Sequence, residues 1–353
     1  MLSSTQAFDT VIQHGTLIDT VNELELENTD IGVLNGKVAA IGRSLPVQPT
    51  TKIIDATGQY VCPGLVDLHT HVYWGSTYWG IEADPLAATT GVTMGVATIQ
   101  KYRSVIKGIK VRMDRDATNN TGLRGIQRAR QMSDQAGGNL PLMIHIGLAP
   151  PSLADILPYL KKGDILTHCC TGLSNRLADD ADHLLPIYHQ LKEKGIVLDL
   201  GHGSGSFNFA SAESMLANHV LPDTLSSDLH QISRSVNVYD LPTTLSKFLN
   251  MGVPLATVIA KATIVPARMI NEPHLGVLKP GHPADIACFK LVQEEIVFKD
   301  AANNERKGTQ RLVNTMTMVD GAILEPSKES PQHPWVVRDL ATVAALDEKE
   351  ECC

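Results

Sequence analysis

The chain has few aromatic residues, 5% of 353, and no cluster of basic ones. With a formal net charge of −8 it lacks the field that draws nucleic acid or an anionic membrane, so both are excluded as expected partners. No apolar run reaches the ~18 residues a membrane span needs. The first residues, MLSSTQAFDTVIQHG, lack a basic start followed by an apolar run, so no secretory leader is expected. The six cysteines are Cys62, Cys169, Cys170, Cys288, Cys352 and Cys353. They have neither the spacing of a disulfide framework nor a CxxC pair, and are read as reduced thiols of a cytoplasmic protein. The terminal ECC is similar to a dicysteine lipidation signal but is read as an exposed end. Repeats and low-complexity segments are absent.

What is present is an ordinary apolar fraction, 43%, with 19% charged residues, enough to bury one large domain or one large and one small. From Phe8 to Cys62, short Val- and Ile-rich runs are punctuated by Gly and Asn, as in TDIGVLNGKVAAIG, and predict β-strands with tight turns. Strand patterns return in PHLGVLKPGHPADIACFKL and RLVNTMTMVDGAIL. Residues 1–62 and 272–325 are therefore expected to pair into a composite β-sandwich. Residues 63–271 alternate short apolar runs with helical stretches, which predicts an α/β fold of the TIM-type (β/α) barrel kind. The polar tail 326–353 is expected to be peripheral.

Seven candidate parallel strands can be read in the middle region: GLVDLHTH, GVTMGVAT, VIKGIKVRM, LPLMIHIG, DILTHCC, GIVLDLGHG and TLSSDLH. Between the second and the third lie only about six residues, IQKYRS, whereas a parallel crossover takes at least ~10–12. Either GVTMGVAT is displaced or the barrel is incomplete.

Strand side chains alternate, so His69 and His71 share a side and could converge on a metal ion at the strand's C-terminal end. Alone, an HxH pair is commonplace. Four further strands each carry a ligand-type residue near their ends: Lys110, His145, His168 and Asp228. A core histidine or a snorkelling lysine would account for any single one. Five in succession point to a metal site. An ammonium repels cations, but Lys110 fits if it has become a CO₂-derived carbamate able to bridge two metals; Lys107 lies off its face.

PGLVDLHTH, GIKVR, MIHIG, THCC, DLGHG and SSDLH together resemble the amidohydrolase superfamily of metal-dependent hydrolases, in particular its dihydroorotase-like amidohydrolase/deacetylase branch. ATIVPARMI followed by LGVLKPGHPADIACF is similar to that family's return into a urease-like composite β domain. The resemblance spans Phe8 to Leu324. It implies that the third strand of the barrel is the one lacking. It also implies that His69, His71 and Asp228 hold one metal, that His145 and His168 hold a second, and that carboxylated Lys110 bridges them. Two divalent ions are expected, zinc by default for imidazole and carboxylate donors.

The expected reaction is removal of an acyl group such as acetyl from a small amide or ester by metal-activated hydroxide, with Asp228 as the proton-transferring base. His202, Gly203 and His230 are candidate substrate contacts, with second-layer hydrogen bonding the equal alternative for the two histidines. Tyr73 and Trp74 are candidates for the mouth. The glycines of LDLGHGSGSF match neither a P-loop nor a dinucleotide fingerprint. His14, His183, His189, His219, His274, His282 and His333 are read as surface or structural. Two alternatives stand: a cyclic amidohydrolase, for which Arg112 and Arg234 could meet a substrate carboxylate, and a non-catalytic descendant missing a barrel strand. A small molecule is the expected partner, and a homo-oligomer is compatible with the sequence.

Overall fold

The computed structural model describes residues 7–71, 107–118, 121–135, 140–179 and 181–325. GVTMGVAT, IQKYRS, Tyr73, Trp74, His333 and the tail 326–353 lie outside them, and so does the wall between His71 and Lys110.

Both ends of the chain meet in one eight-stranded sheet. Its strands are β1 (Thr10–Asp19), β2 (Leu24–Leu34), β3 (Lys37–Gly42), β4 (Lys52–Asp55) and β5 (Tyr60–Pro63) from the first part of the chain. Beyond the parallel strands described next come β10 (Ile286–Lys299), β11 (Glu305–Val319) and β12 (Ala322–Ile323). The turn between β2 and β3 is Asn35-Gly36, with φ of 53° and 74°. That geometry matches the twist of a hairpin and is the reason Asn-Gly marks one. The seam is β5, parallel to β1 and antiparallel to β10, where Ile286 lies opposite Pro63.

The remaining strands form a four-stranded parallel sheet: β6 (Ile109–Arg112), β7 (Leu142–His145), β8 (Ile165–Thr167) and β9 (Val197–Asp199). Helices Arg124–Gln135, Leu153–Ile156 and Pro186–Glu193 intervene, giving the α/β alternation expected. Register places Arg112 beside His145, His145 beside Thr167, and Thr167 beside Asp199. In a parallel sheet such a row points to one face, so four polar side chains line the C-terminal ends of adjacent strands. The neighbouring residues Ile144, Leu166 and Leu198 have no exposed surface and anchor the opposite face in the main core.

Two of the expected strands differ from the pattern. GLVDLHTH and TLSSDLH form no regular strand; single parallel bridges join Thr70 to Leu229 and Asp199 to Thr224. Short, interrupted pairing leaves the backbone free to turn where the ligand-type residues sit. Among the described residues no helix is long and apolar enough to cross a membrane.

Gly276 connects the two parts. The Thr20 hydroxyl donates to its carbonyl at 2.8 Å, its φ is +69°, and a Cβ there would lie 2.4 Å from the backbone carbon of Thr263. Backbone cannot yield as a side chain can. Gly276→Ala is therefore expected to lower unfolding stability by about 2 kcal/mol or more, measured by urea denaturation; an unchanged midpoint would show that the contact relaxes freely.

Candidate metal centre

The residues singled out in the sequence converge at the C-terminal ends of the parallel strands. Backbone pairing brings two distant segments together: Asp228 N donates to His69 O at 2.6 Å, and His71 N to Leu229 O at 2.9 Å. Asp228 Oδ1 then lies 3.0 Å from His69 Nε2 and 2.9 Å from His71 Nε2. One ligand atom from each of these three residues falls within 4.8 Å of the others. Lys110 Nζ is 2.7 Å from His69 Nε2.

His145 and His168 meet nearby, Nδ1 to Nε2, at 2.8 Å. Strand alternation alone would put His168 on the face opposite Thr167. It turns back because its backbone is left-handed, φ 70°, and Asp228 is left-handed too, φ 48°. Non-glycine residues bear that conformation at a cost, and it concentrates at functional sites.

Outer hydrogen bonds decide where the ring protons sit. The Thr167 hydroxyl donates to Asp199 Oδ2 at 2.7 Å and so accepts from His69 Nδ1 at 3.0 Å. His168 Nδ1 donates to Gly201 O at 2.6 Å, and His145 Nε2 faces Asp114 Oδ2 at 3.2 Å. His145 and His168 each spend their one proton outward. The two nitrogens of His145 and His168 that face each other therefore both carry lone pairs. Bare lone pairs turned toward one another repel, and a shared cation removes the repulsion. The donor set fits divalent metal, with imidazoles oriented by outer acceptors.

Electrostatics agree. Burial would raise the Asp228 carboxyl, but the His69 and His71 imidazoles outweigh it and hold it well below the usual carboxylate range. Burial lowers His145 to about 4 against the pull of Asp114, and drives His168, next to His145, well below the ordinary imidazole value. Lys110 as a residue is exposed, yet its amine is packed among imidazoles, and the loss of water around it lowers the ammonium to about 8. Burial raises Asp67 to about 7, although Ser227 and the His69 backbone donate to it.

The candidate substrate contacts separate. His230 is buried, 3.3 Å from the Ser204 hydroxyl, with its ring centroid 5.6 Å from that of His71. Gly203, φ +56°, presses its Cα against Asp228, where a Cβ would lie 2.5 Å from Oδ2. His202 has no exposed surface, and both ring nitrogens are engaged within the protein. Nδ1 lies 2.9 Å from Gly203 O and Nε2 2.6 Å from Lys247 Nζ. Lys107 is paired with Glu272. His14, His183, His189, His219 and His274 are exposed and His282 is partly exposed, none beside the cluster.

Sequence reasoning missed Asp114, Thr167 and Asp199. Asp199 collects hydroxyl bonds from Thr167, Thr224 and Ser226 at 2.6–2.9 Å. A Cβ on Gly201 would fall 2.2 Å from Thr167 Oγ1 and 2.9 Å from His69 Nδ1. The signal available was the register row itself, a polar residue at the end of each strand.

A family model described as Amidohydrolase family matches residues 142–324, just over half the chain. The chain is 35% identical over 252 residues to a deacetylase of Enterococcus faecalis, covering 70% of this chain and 68% of that protein. It is 28% identical to a deacetylase of Agrobacterium fabrum, covering 86% and 88%. That second alignment runs over 362 positions, more than the 353 residues here, so the relative carries residues with no counterpart in this chain. Among solved structures, an adenine deaminase superposes with a TM-score of 0.80 at 26% identity, covering 90% of this chain and 99% of that one. A dihydroorotase gives 0.79 at 25%, covering 92% and 99%.

His230 provides a pH test. Burial lowers it to about 4, so the native protein keeps it neutral while the unfolded chain protonates it near 6.5. Its contribution is intact above pH 6.5 and is lost as pH falls toward 4. The stability advantage of wild type over His230→Asn should shrink or reverse from pH 7 to pH 4, followed by urea titration. A constant gap would mean the ring is not held neutral.

Proposed function

Because the chain belongs to the amidohydrolase family, we propose that it is a binuclear metal-dependent hydrolase that removes an acetyl or similar acyl group from a small amide or ester. The carrying observation is the facing of unprotonated nitrogens from His145 and His168 beside the His69–His71–Asp228 cluster. In this reading His69, His71 and Asp228 hold one divalent ion, zinc by donor type, and His145 and His168 hold the other. Bound there, the ions supply Lewis acidity toward an acyl carbonyl and make hydroxide available at neutral pH.

Lys110 completes the set as a carbamate. An amine lowered to about 8 keeps a neutral fraction at pH 7; its lone pair adds to CO₂, a proton leaves, and the product is an anion with two oxygens. The amine's position, 2.7 Å from His69 Nε2, supports that role. Asp228 remains ionised and is pinned through Oδ1, while Oδ2 faces Gly203. It is placed to accept a proton from the attacking water and deliver it to the leaving nitrogen or oxygen. A strand ring closed as a TIM-type barrel with one strand fewer belongs to the same reading; the residues of the Agrobacterium relative that have no counterpart here support it.

A cyclic-amide substrate is the second reading, favoured by the dihydroorotase superposition. It is weakened because the Arg112 guanidinium is already spent on Asp114 through Nε and Nη2, both at 2.9 Å, leaving less positive charge for a ring carboxylate. The intact ligand set argues against a non-catalytic descendant.

Purified chain supplied with zinc and bicarbonate should hold about two zinc ions. Asp228→Asn should lower turnover of acetylated amino or hydroxy acids by about 10²–10⁴-fold with a smaller change in zinc content. Near-normal turnover in that variant would remove Asp228 as the base, and zinc-free wild type would leave the non-catalytic reading.

A further inference from the structure

The helix Leu241–Asn250 is N-capped by Asp240, which accepts from Thr243 N, and is buried from Leu241 to Leu249. In it lies Lys247, only 1% exposed. Its three ammonium protons meet three acceptors: His202 Nε2 at 2.6 Å, Asn237 O at 2.7 Å and Lys299 O at 2.7 Å. The rings of Phe207 and Phe209 lie 5.6 and 5.9 Å from Nζ. Among the described residues no carboxylate forms an ion pair with it. A methionine would pack among these phenylalanines without the desolvation cost of a buried cation. What lysine adds is directed hydrogen bonding.

We propose that Lys247 is a positioning residue which, by donating to His202, fixes the glycine wall that holds the Asp228 carboxylate. The proposal rests on Asp228 being the base of the reaction above. Because Lys247 donates to Nε2, the His202 proton must sit on Nδ1, from which it donates to Gly203 O at 2.9 Å. In the other tautomer a bare Nδ1 would face that carbonyl, lone pair against lone pair, and the peptide would move. Gly203 cannot move freely without consequence: its N donates to Ser227 O at 3.0 Å, and its Cα packs against Asp228 Oδ2. The line from Lys247 through His202 and Gly203 thus ends on the carboxylate oxygen that His69 and His71 do not hold. Lys299 lies at the end of β10, so the same ammonium ties the terminal sheet to this wall.

The test is a double-mutant cycle on the full-length, zinc-loaded chain. Lys247→Met and His202→Phe should each lower kcat about 10- to 100-fold with KM nearly unchanged, the cost of a small misplacement. Because both act through one contact, the double variant should be no slower than the slower single variant. Additive losses, or wild-type kcat in either single variant, overturn the proposal. A second readout needs no substrate: ring-nitrogen NMR, with His202→Phe assigning the signal, should show the Nδ1–H tautomer in wild type and its loss in Lys247→Met. An Nε2–H wild-type ring overturns the proposal even if Lys247→Met does not fold. A wild type that turns over no acylated substrate defeats the function above, while the tautomer still decides whether Lys247 sets His202.

Discussion

An ionised carboxylate inside the protein, shared by two imidazoles, is the interaction on which the site depends. Asp228 is 8% exposed and keeps its charge because His69 and His71 both approach Oδ1. A buried carboxylate without such partners would take up a proton. The partners come from a segment nearly 160 residues away and are aligned by two backbone hydrogen bonds, not by a regular strand. A left-handed Asp228 is the local cost of that alignment.

Around this pair, a second layer of polar groups spends every spare proton. Asp199 takes hydroxyl protons from Thr167, Thr224 and Ser226, which forces Thr167 to accept from His69. Asp67 does the same on the other side, accepting from Ser227 and from the backbone of His69. Such a network stabilises only when complete, since each unsatisfied buried group costs about 1–3 kcal/mol. Completeness has a chemical result: the nitrogens of His145 and His168 that face each other are left bare. Orientation of donors is therefore a property of the protein before any ligand is considered.

The sequence revealed the inner residues better than the outer ones. Alternating Val and Ile with Asn-Gly turns announced the terminal strands, and titratable residues ending apolar runs announced the ligand-type set. Those are local signals with period two. His168 shows where locality stops: alternation puts it on the wrong face, and only its left-handed backbone returns it to His145. Asp199 read as an ordinary strand residue because its partners arrive from β8 and from residues 224–226. Lys247 carried no signal of its own in the sequence; its meaning depends on acceptors 45, 10 and 52 residues away. Gly203 reads in the sequence as a substrate contact; in the structure the missing Cβ atoms of Gly201 and Gly203 also make room for Thr167, His69 and Asp228.

The chain is shorter than its Agrobacterium alignment, yet the ligand-type residues lie together, and the pairing explains why. Strand β6 is registered on β7, β7 on β8, and β8 on β9; residues 224–229 then bridge β9 to Thr70. Each step is set by hydrogen bonds between immediate neighbours and by an apolar row, Ile144, Leu166 and Leu198, packed beneath. Register between two strands does not depend on whether a ring of strands is complete, because a slip would expose the apolar face locally. Lys110, His145, His168, Asp228 and His69 consequently converge through successive pairwise contacts. The convergence of these side chains thus follows from the described arc alone.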